Sequence, residues 1–162
     1  MELWDIRDAQ GMVTGRTIER GLSLGLGEYH LVVFIILRTA GRKYLISKRA
    51  ENKIGAGSWE TVGGSVLAGE ESLEGAIREV GEEVGLKVTS QELRLLDRNF
   101  YHGKNGFILD VYLYEGHIDV TSLKLQVEEV SAVQLISEKE MMSLLDGDCF
   151  FNGPLFKVDY YQ

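Results

Sequence analysis

The chain has 162 residues, 44% of them apolar and 26% charged, which suits one ordinary domain with a real core and excludes a disordered chain. Its net charge of −8 excludes a general nucleic-acid coat protein, which needs a basic surface against phosphates, but not a small phosphorylated substrate held through a cation. The single cysteine, Cys149, permits neither an internal disulfide nor a cysteine-rich zinc site, and MELWDIRD lacks the basic and apolar stretches of a secretory signal, so a cytoplasmic protein is expected.

Residues 1–29 read as a strand or hairpin with a glycine-rich lead-in, an extension ahead of a core at about 30–145. LVVFIIL (31–37) and KYLISK (43–48) read as strands joined by a turn around Gly41. The unbroken apolar run suggests a strand covered on both faces, and it is far too short to cross a membrane. Residues 49–58 read as a loop, Trp59 to Val62 as a short strand, and Gly63 and Gly64 as the start of a loop into a helix. That helix is predicted over about 71–84, with Leu73, Ala76, Ile77, Val80 and Val84 forming a core-facing stripe and Gly85 as its left-handed cap. ELRLLDRNFY (92–101) and FILDVYLYEG (107–116) read as a hairpin turning near Lys104–Gly106. Val130 to Ile136 reads as a last strand, with Ser137 capping a helix to about Leu145 and a C-terminal segment over 146–162. This order predicts an α/β fold, a mixed β-sheet sandwiched between helices.

One feature of the helix is electrostatically costly. Glu79, Glu82 and Glu83 share a face near its C-terminal end, where like charges repel and the helix dipole disfavours acids. Residues 64–86 hold six acids and one arginine, so the acidity is concentrated. An isolated ExxEE is most often a solvated helix face. An all-oxygen cluster also suits a hard divalent cation such as magnesium, which takes few carboxylates, several waters and substrate phosphates.

The full stretch decides between these. It runs Gly64, five residues, Glu70, seven residues, then Arg78-Glu79-Val80-x-Glu82-Glu83-x-Gly85-Leu86. This resembles the signature box of the Nudix hydrolases at every specified position, and a chance match has a probability on the order of 10⁻⁷. The resemblance implies that Glu79, Glu82 and Glu83 bind Mg2+ or Mn2+, with the Gly63 carbonyl as a further ligand. It implies that Arg78 and Glu70 pair to brace loop against helix, and that water attacks a phosphorus atom of a diphosphate linkage. For the general base, Glu79 or Glu82 could serve from within the box. Glu128, favoured slightly over Glu129, could reach in from the loop before the last strand.

Arg49 is the expected phosphate contact, with Lys48 beside it. Tyr101, Tyr112 and Trp59 are expected more often in the core than against a base. His30, His102 and His117 show no metal-ligand spacing, and Cys149 is expected to be buried. The leader, with GEYHLVV, resembles the isopentenyl-diphosphate-isomerase-like branch of the family and is a candidate dimerisation element. The isomerases of that branch need a cysteine near the strand before the box, and WETVGG has none. A hydrolase of a nucleoside diphosphate derivative or related small phosphorylated metabolite is therefore expected ahead of an isomerase or a catalytically silent nucleotide-binding module. No membrane or nucleic-acid polymer is expected as a partner.

Overall fold

The computed structural model describes residues 1–162. In chain order it contains β1 (Leu3–Arg7), β2 (Val13–Glu19), β3 (Tyr29–Thr39), β4 (Lys43–Arg49), β5 (Trp59–Glu60), β6 (Val62–Ser65), α1 (Ser72–Val84), β7 (Leu93–Tyr101), β8 (Gly106–Gly116), β9 (Val130–Ser137) and α2 (Glu138–Asp146). The nine strands form one mixed sheet with a helix on each face, as expected. Neither helix is long and apolar enough to cross a membrane.

β3 is the axis. It runs parallel to β8 in unbroken register from Tyr29↔Gly106 to Thr39↔Gly116. Leu31, Val33, Ile35 and Leu37 face the layer that holds α1, whereas Phe34 and Ile36 face the layer that holds α2 and the C-terminal residues. Burial on both sides explains why this strand shows no polar alternation. On its other edge β3 pairs with β4 only at Leu37↔Leu45 and Arg38↔Tyr44, beyond the turn where Arg42 takes a left-handed φ of 59°. The two strands then part, and residues 59–65 fill the gap between them. β5 pairs with β4, β6 pairs with β3, and Thr61 between them marks the change of partner. The single strand expected at Trp59 to Val62 is thus two, because its ends belong to different neighbours.

α1 begins at Glu71, whose side chain and that of Glu74 reciprocally cap the first turn. Ala76, Val80 and Val84 are fully buried against β3 and β8, and burying such a valine stabilises the fold by about 1.5–3 kcal/mol. Gly85 ends the helix at φ 70°, where an added Cβ would sit 2.8 Å from the Lys124 main-chain nitrogen. The approach is close because Lys124 and Gln126 donate their backbone N–H groups to the carbonyls of Val84 and Glu83, at 3.0 Å each. Segment 124–126 thereby satisfies carbonyls that the helix end leaves free.

The start of α1 is pinned separately. Asp110 of β8 is fully buried, accepts two 2.6 Å hydrogen bonds from Arg98 of β7, and takes a third from Ser72 Oγ; Tyr112 OH in turn donates to that Oγ. On the opposite face α2, capped by Ser137, buries Met141 beside Phe150, Phe156 and Tyr161. Cys149 is exposed, contrary to expectation, because the main chain here pairs with Trp59 and turns Phe150 inward instead.

Replacing Asp110 by alanine strands Arg98 and Ser72. Because Arg98 keeps part of its hydration, the cost should be about 2–4 kcal/mol, below that of breaking a fully buried pair. Urea denaturation checks it, and a loss under about 0.5 kcal/mol, within the usual range for surface substitutions, would refute the anchoring role.

Candidate active site

Because α1 buries Ala76, Val80 and Val84, it carries Glu79, Glu82 and Glu83 around to the edge facing β6. All three line a cavity of about 140 Å3 with no hydrophobic residue in its wall. Strand alternation supplies the facing side. Glu60, Val62 and Gly64 point toward the α1 layer, so Glu60, Gly63 and Gly64 meet the helix acids across the gap left by β3 and β4. Gly64 leaves room for Glu79 there, since a Cβ would sit 2.5 Å from the Glu79 carboxyl carbon and push that side chain aside.

Arg78 organises this group. Its Nε and Nη2 donate to Glu70 at 2.8 and 3.1 Å, its Nη1 to Glu79 at 2.8 Å and Glu82 at 3.2 Å, and its Nη2 to the Ser65 carbonyl at 3.0 Å. The expected Arg78–Glu70 pair is therefore present. Burial opposes the charge on Glu70, yet Arg78 and the Leu67 N–H hold its carboxyl below the usual range. Glu79 goes the other way, because burial pushes its carboxyl up in spite of Arg78. Burial likewise raises Glu60, although Arg49 donates to it at 2.5 Å. Glu83 is 6% exposed, and burial followed by the charges of Glu60 and Glu79 drives it well above the usual carboxylate range. Its Oε2 has no hydrogen-bond partner.

The remaining wall comes from loops. Lys53 pairs with Glu129 over the cavity, held by an Ala50 N–H to Glu129 carbonyl bond of 3.0 Å. Glu128, the residue favoured from the sequence, is exposed and outside the cavity, whereas its neighbour Glu129 lines it. The turn over Gln126–Glu129, stitched to α1 through Gln126, decides which of the two neighbours faces inward. Arg49 does line the cavity, but its Nε donates to the Ile54 carbonyl at 2.7 Å and its guanidinium stacks on Phe151 at 3.8 Å. Lys48 alternates to the other face and lies 5.9 Å from the Trp59 ring centre. Trp59 packs toward α2, Tyr112 is buried and Tyr101 stacks on Phe107, so none of these aromatics lines the cavity. Glu2, Arg20, Lys53, Glu60 and Gln126 line it without having been singled out from the sequence. Only Glu60 had a local signal, its alternation with Trp59.

The motif glutamates are gathered but not closed: no three acidic, histidine or cysteine side chains converge tightly enough to cage a metal ion by themselves. Arg78 draws Glu79 and Glu82 to itself, and Glu83 sits apart near Glu60. The donor set nevertheless fits a hard cation with few protein ligands. A buried carboxylate oxygen without a partner is costly unless positive charge reaches it, and Glu83 Oε2 is such an atom.

A family model described as the NUDIX domain matches residues 28–157. An uncharacterized Nudix hydrolase of Listeria monocytogenes is 34% identical over 98% of this chain and 95% of its own length. That match includes the leader, whose resemblance to the isomerase-like branch gains no support from it. The fold is similar to that of the Deinococcus radiodurans protein DR0079, with a TM-score of 0.77 at 18% identity over 99% of both chains. It is also similar to the Nudix domain of Shewanella oneidensis NrtR crystallised with ADP ribose, with a TM-score of 0.58 at 20% identity over 71% of this chain and 77% of that one.

Two outcomes are expected. Gly64→Ala should keep the fold, since the obstructing atoms are the end of a flexible side chain, but displace Glu79 and weaken Mn2+ binding about tenfold in calorimetry, roughly one lost charged contact. Unchanged affinity would count against Glu79 as a ligand. Second, Glu60, Glu79 and Glu83 have folded pKa values above their ordinary value of 4.5. The stability tied to their neutral forms is fully present below that value and lost as pH rises through the raised ones. Cation-free protein should therefore melt at lower temperature as pH goes from 5 to 8, and saturating Mg2+ should raise the melting temperature more at pH 8 than at pH 5. An equal shift at both values would sink the claim.

Proposed function

We propose that this chain, which belongs to the Nudix family and is a pyrophosphohydrolase, cuts the diphosphate linkage of a nucleoside diphosphate derivative or related small phosphorylated metabolite with Mg2+ or Mn2+ as cofactor. The observation carrying this reading is the buried, partly unpartnered set of carboxylates in a wholly polar cavity, built from the family's signature segment. The NrtR domain, crystallised with ADP ribose, is one instance of a nucleoside diphosphate derivative bound on this fold.

Glu79, Glu82 and Glu83, with the Gly63 carbonyl, would hold the cation. When bound it supplies charge neutralisation at the phosphoryl oxygens and makes water a better nucleophile near neutral pH. Arg78 and Glu70 keep α1 and the loop after β6 in fixed relation, so the ligand carboxylates do not splay apart under their own repulsion. Glu129 takes the proton from the attacking water, with Lys53 holding it in place. The new bond joins that water oxygen to phosphorus, the bridging P–O bond breaks, and the leaving phosphate departs as an oxyanion. Arg49 adds positive charge to the wall while its donors keep Glu60 in position.

The isomerase reading would need an acid–base cysteine at the cavity. Tertiary structure does bring Cys149 beside β5, through a 3.0 Å bond from the Trp59 N–H to its carbonyl, but Cys149 does not line the cavity.

A panel of nucleoside diphosphates, triphosphates, dinucleotides, nucleotide sugars and isopentenyl diphosphate, assayed with Mg2+, tests the reading. Cleavage should appear, Glu82→Gln should lower kcat by at least about a hundredfold, and Glu129→Gln by about 10²–10⁴ while Glu128→Gln changes it less than about threefold. Isomerisation of isopentenyl diphosphate without cleavage of anything else would overturn it.

A further inference from the structure

We propose that the leader hairpin β1–β2 is a wall of the substrate site, and that Arg20 grips a phosphate oxygen of the substrate with Glu2 as its displaceable counter-ion. This rests on the diphosphate reading above and adds a binding residue outside the signature segment.

The hairpin is fixed against the catalytic segment. The Ala68 N–H donates to the Leu3 carbonyl at 2.8 Å and the Gly69 N–H to Asp5 Oδ2 at 2.8 Å, both from the loop that joins β6 to α1. Leu3 pairs with Glu19, the Arg20 N–H donates to the Glu2 carbonyl at 2.9 Å, and Arg7 pairs with Tyr29 of β3. These contacts deliver Glu2 and Arg20 to the cavity that holds Glu79, Glu82 and Glu83.

Among the four cations of that cavity, three are committed. Arg78 serves three carboxylates and a carbonyl, Arg49 serves Glu60, the Ile54 carbonyl and the Phe151 ring, and Lys53 pairs with Glu129. Arg20 differs. Its side chain is 59% exposed and held by one ion pair, 2.8 Å to a Glu2 that is itself 47% exposed. Such a surface pair is cheap to open. The cavity carries six acids against four bases, so an incoming diphosphate needs a cation beyond those already neutralised. A guanidinium suits this, because its planar fork matches two phosphate oxygens at once.

Calorimetry with methylenediphosphonate and Mg2+ tests the assignment on the full chain, with KM measured on whichever panel substrate is cleaved. Arg20→Gln should weaken diphosphonate binding about tenfold to a hundredfold and raise KM more than it lowers kcat. Arg20→Lys should recover part of the affinity, and Glu2→Gln should strengthen binding by removing the competitor. Melting temperatures within 2 °C of the parent, as expected of exposed positions, separate binding from folding. Affinity and KM within twofold of the parent for Arg20→Gln would overturn this assignment and leave the hydrolase reading standing. A parent chain that binds no diphosphonate and cleaves nothing would overturn both.

Discussion

Arg78 is the point on which the site depends. Carboxylates crowded at the C-terminal end of a helix repel one another and the helix dipole, and burial worsens both by removing water. One guanidinium answers part of that charge by contacting Glu70, Glu79 and Glu82, and also binds the Ser65 carbonyl of β6. Helix, loop and strand are thus tied at one residue. Glu83 makes no contact with it, and burial followed by the charges of Glu60 and Glu79 drives that carboxyl well above the usual range.

The cavity exists because β3 and β4 part after two residue pairs and the short segment 59–65 bridges them. Parting opens the space, and bridging lines it with Glu60 on one side and two glycines on the other. The apolar layers on both sheet faces keep this geometry rigid, with α1 anchored at its start by Asp110 and at its end by segment 124–126. The same segment that satisfies the helix carbonyls then leads to Glu129 and places it opposite Lys53. The end of the helix and the far wall of the cavity therefore depend on one stretch of main chain.

Much of this was legible without coordinates. The stripe at Ala76, Val80 and Val84, the cap at Gly85, the hairpin of β7 and β8 and the Ser137 cap all follow from local periodicity and turn chemistry, and all appear where expected. Local pattern is silent where neighbours in sequence diverge in space. Glu128 and Glu129 are chemically identical, and only the turn that Gln126 anchors decides which faces inward. Lys48 and Arg49 are separated by strand alternation, and Cys149 is exposed because pairing with Trp59 turns Phe150 inward instead.

The sequence by itself determined the signature segment, since loop, helix, brace and acids lie within 23 consecutive residues and one helical period aligns them. It also pointed to a β3 covered on both faces, because an unbroken apolar run leaves no polar side to turn to water. Only the tertiary structure decided what stands opposite those acids. Glu60, Lys53, Glu129, Glu2 and Arg20 come from four separate stretches, and their convergence depends on sheet pairings between residues far apart in the chain, which no local pattern encodes.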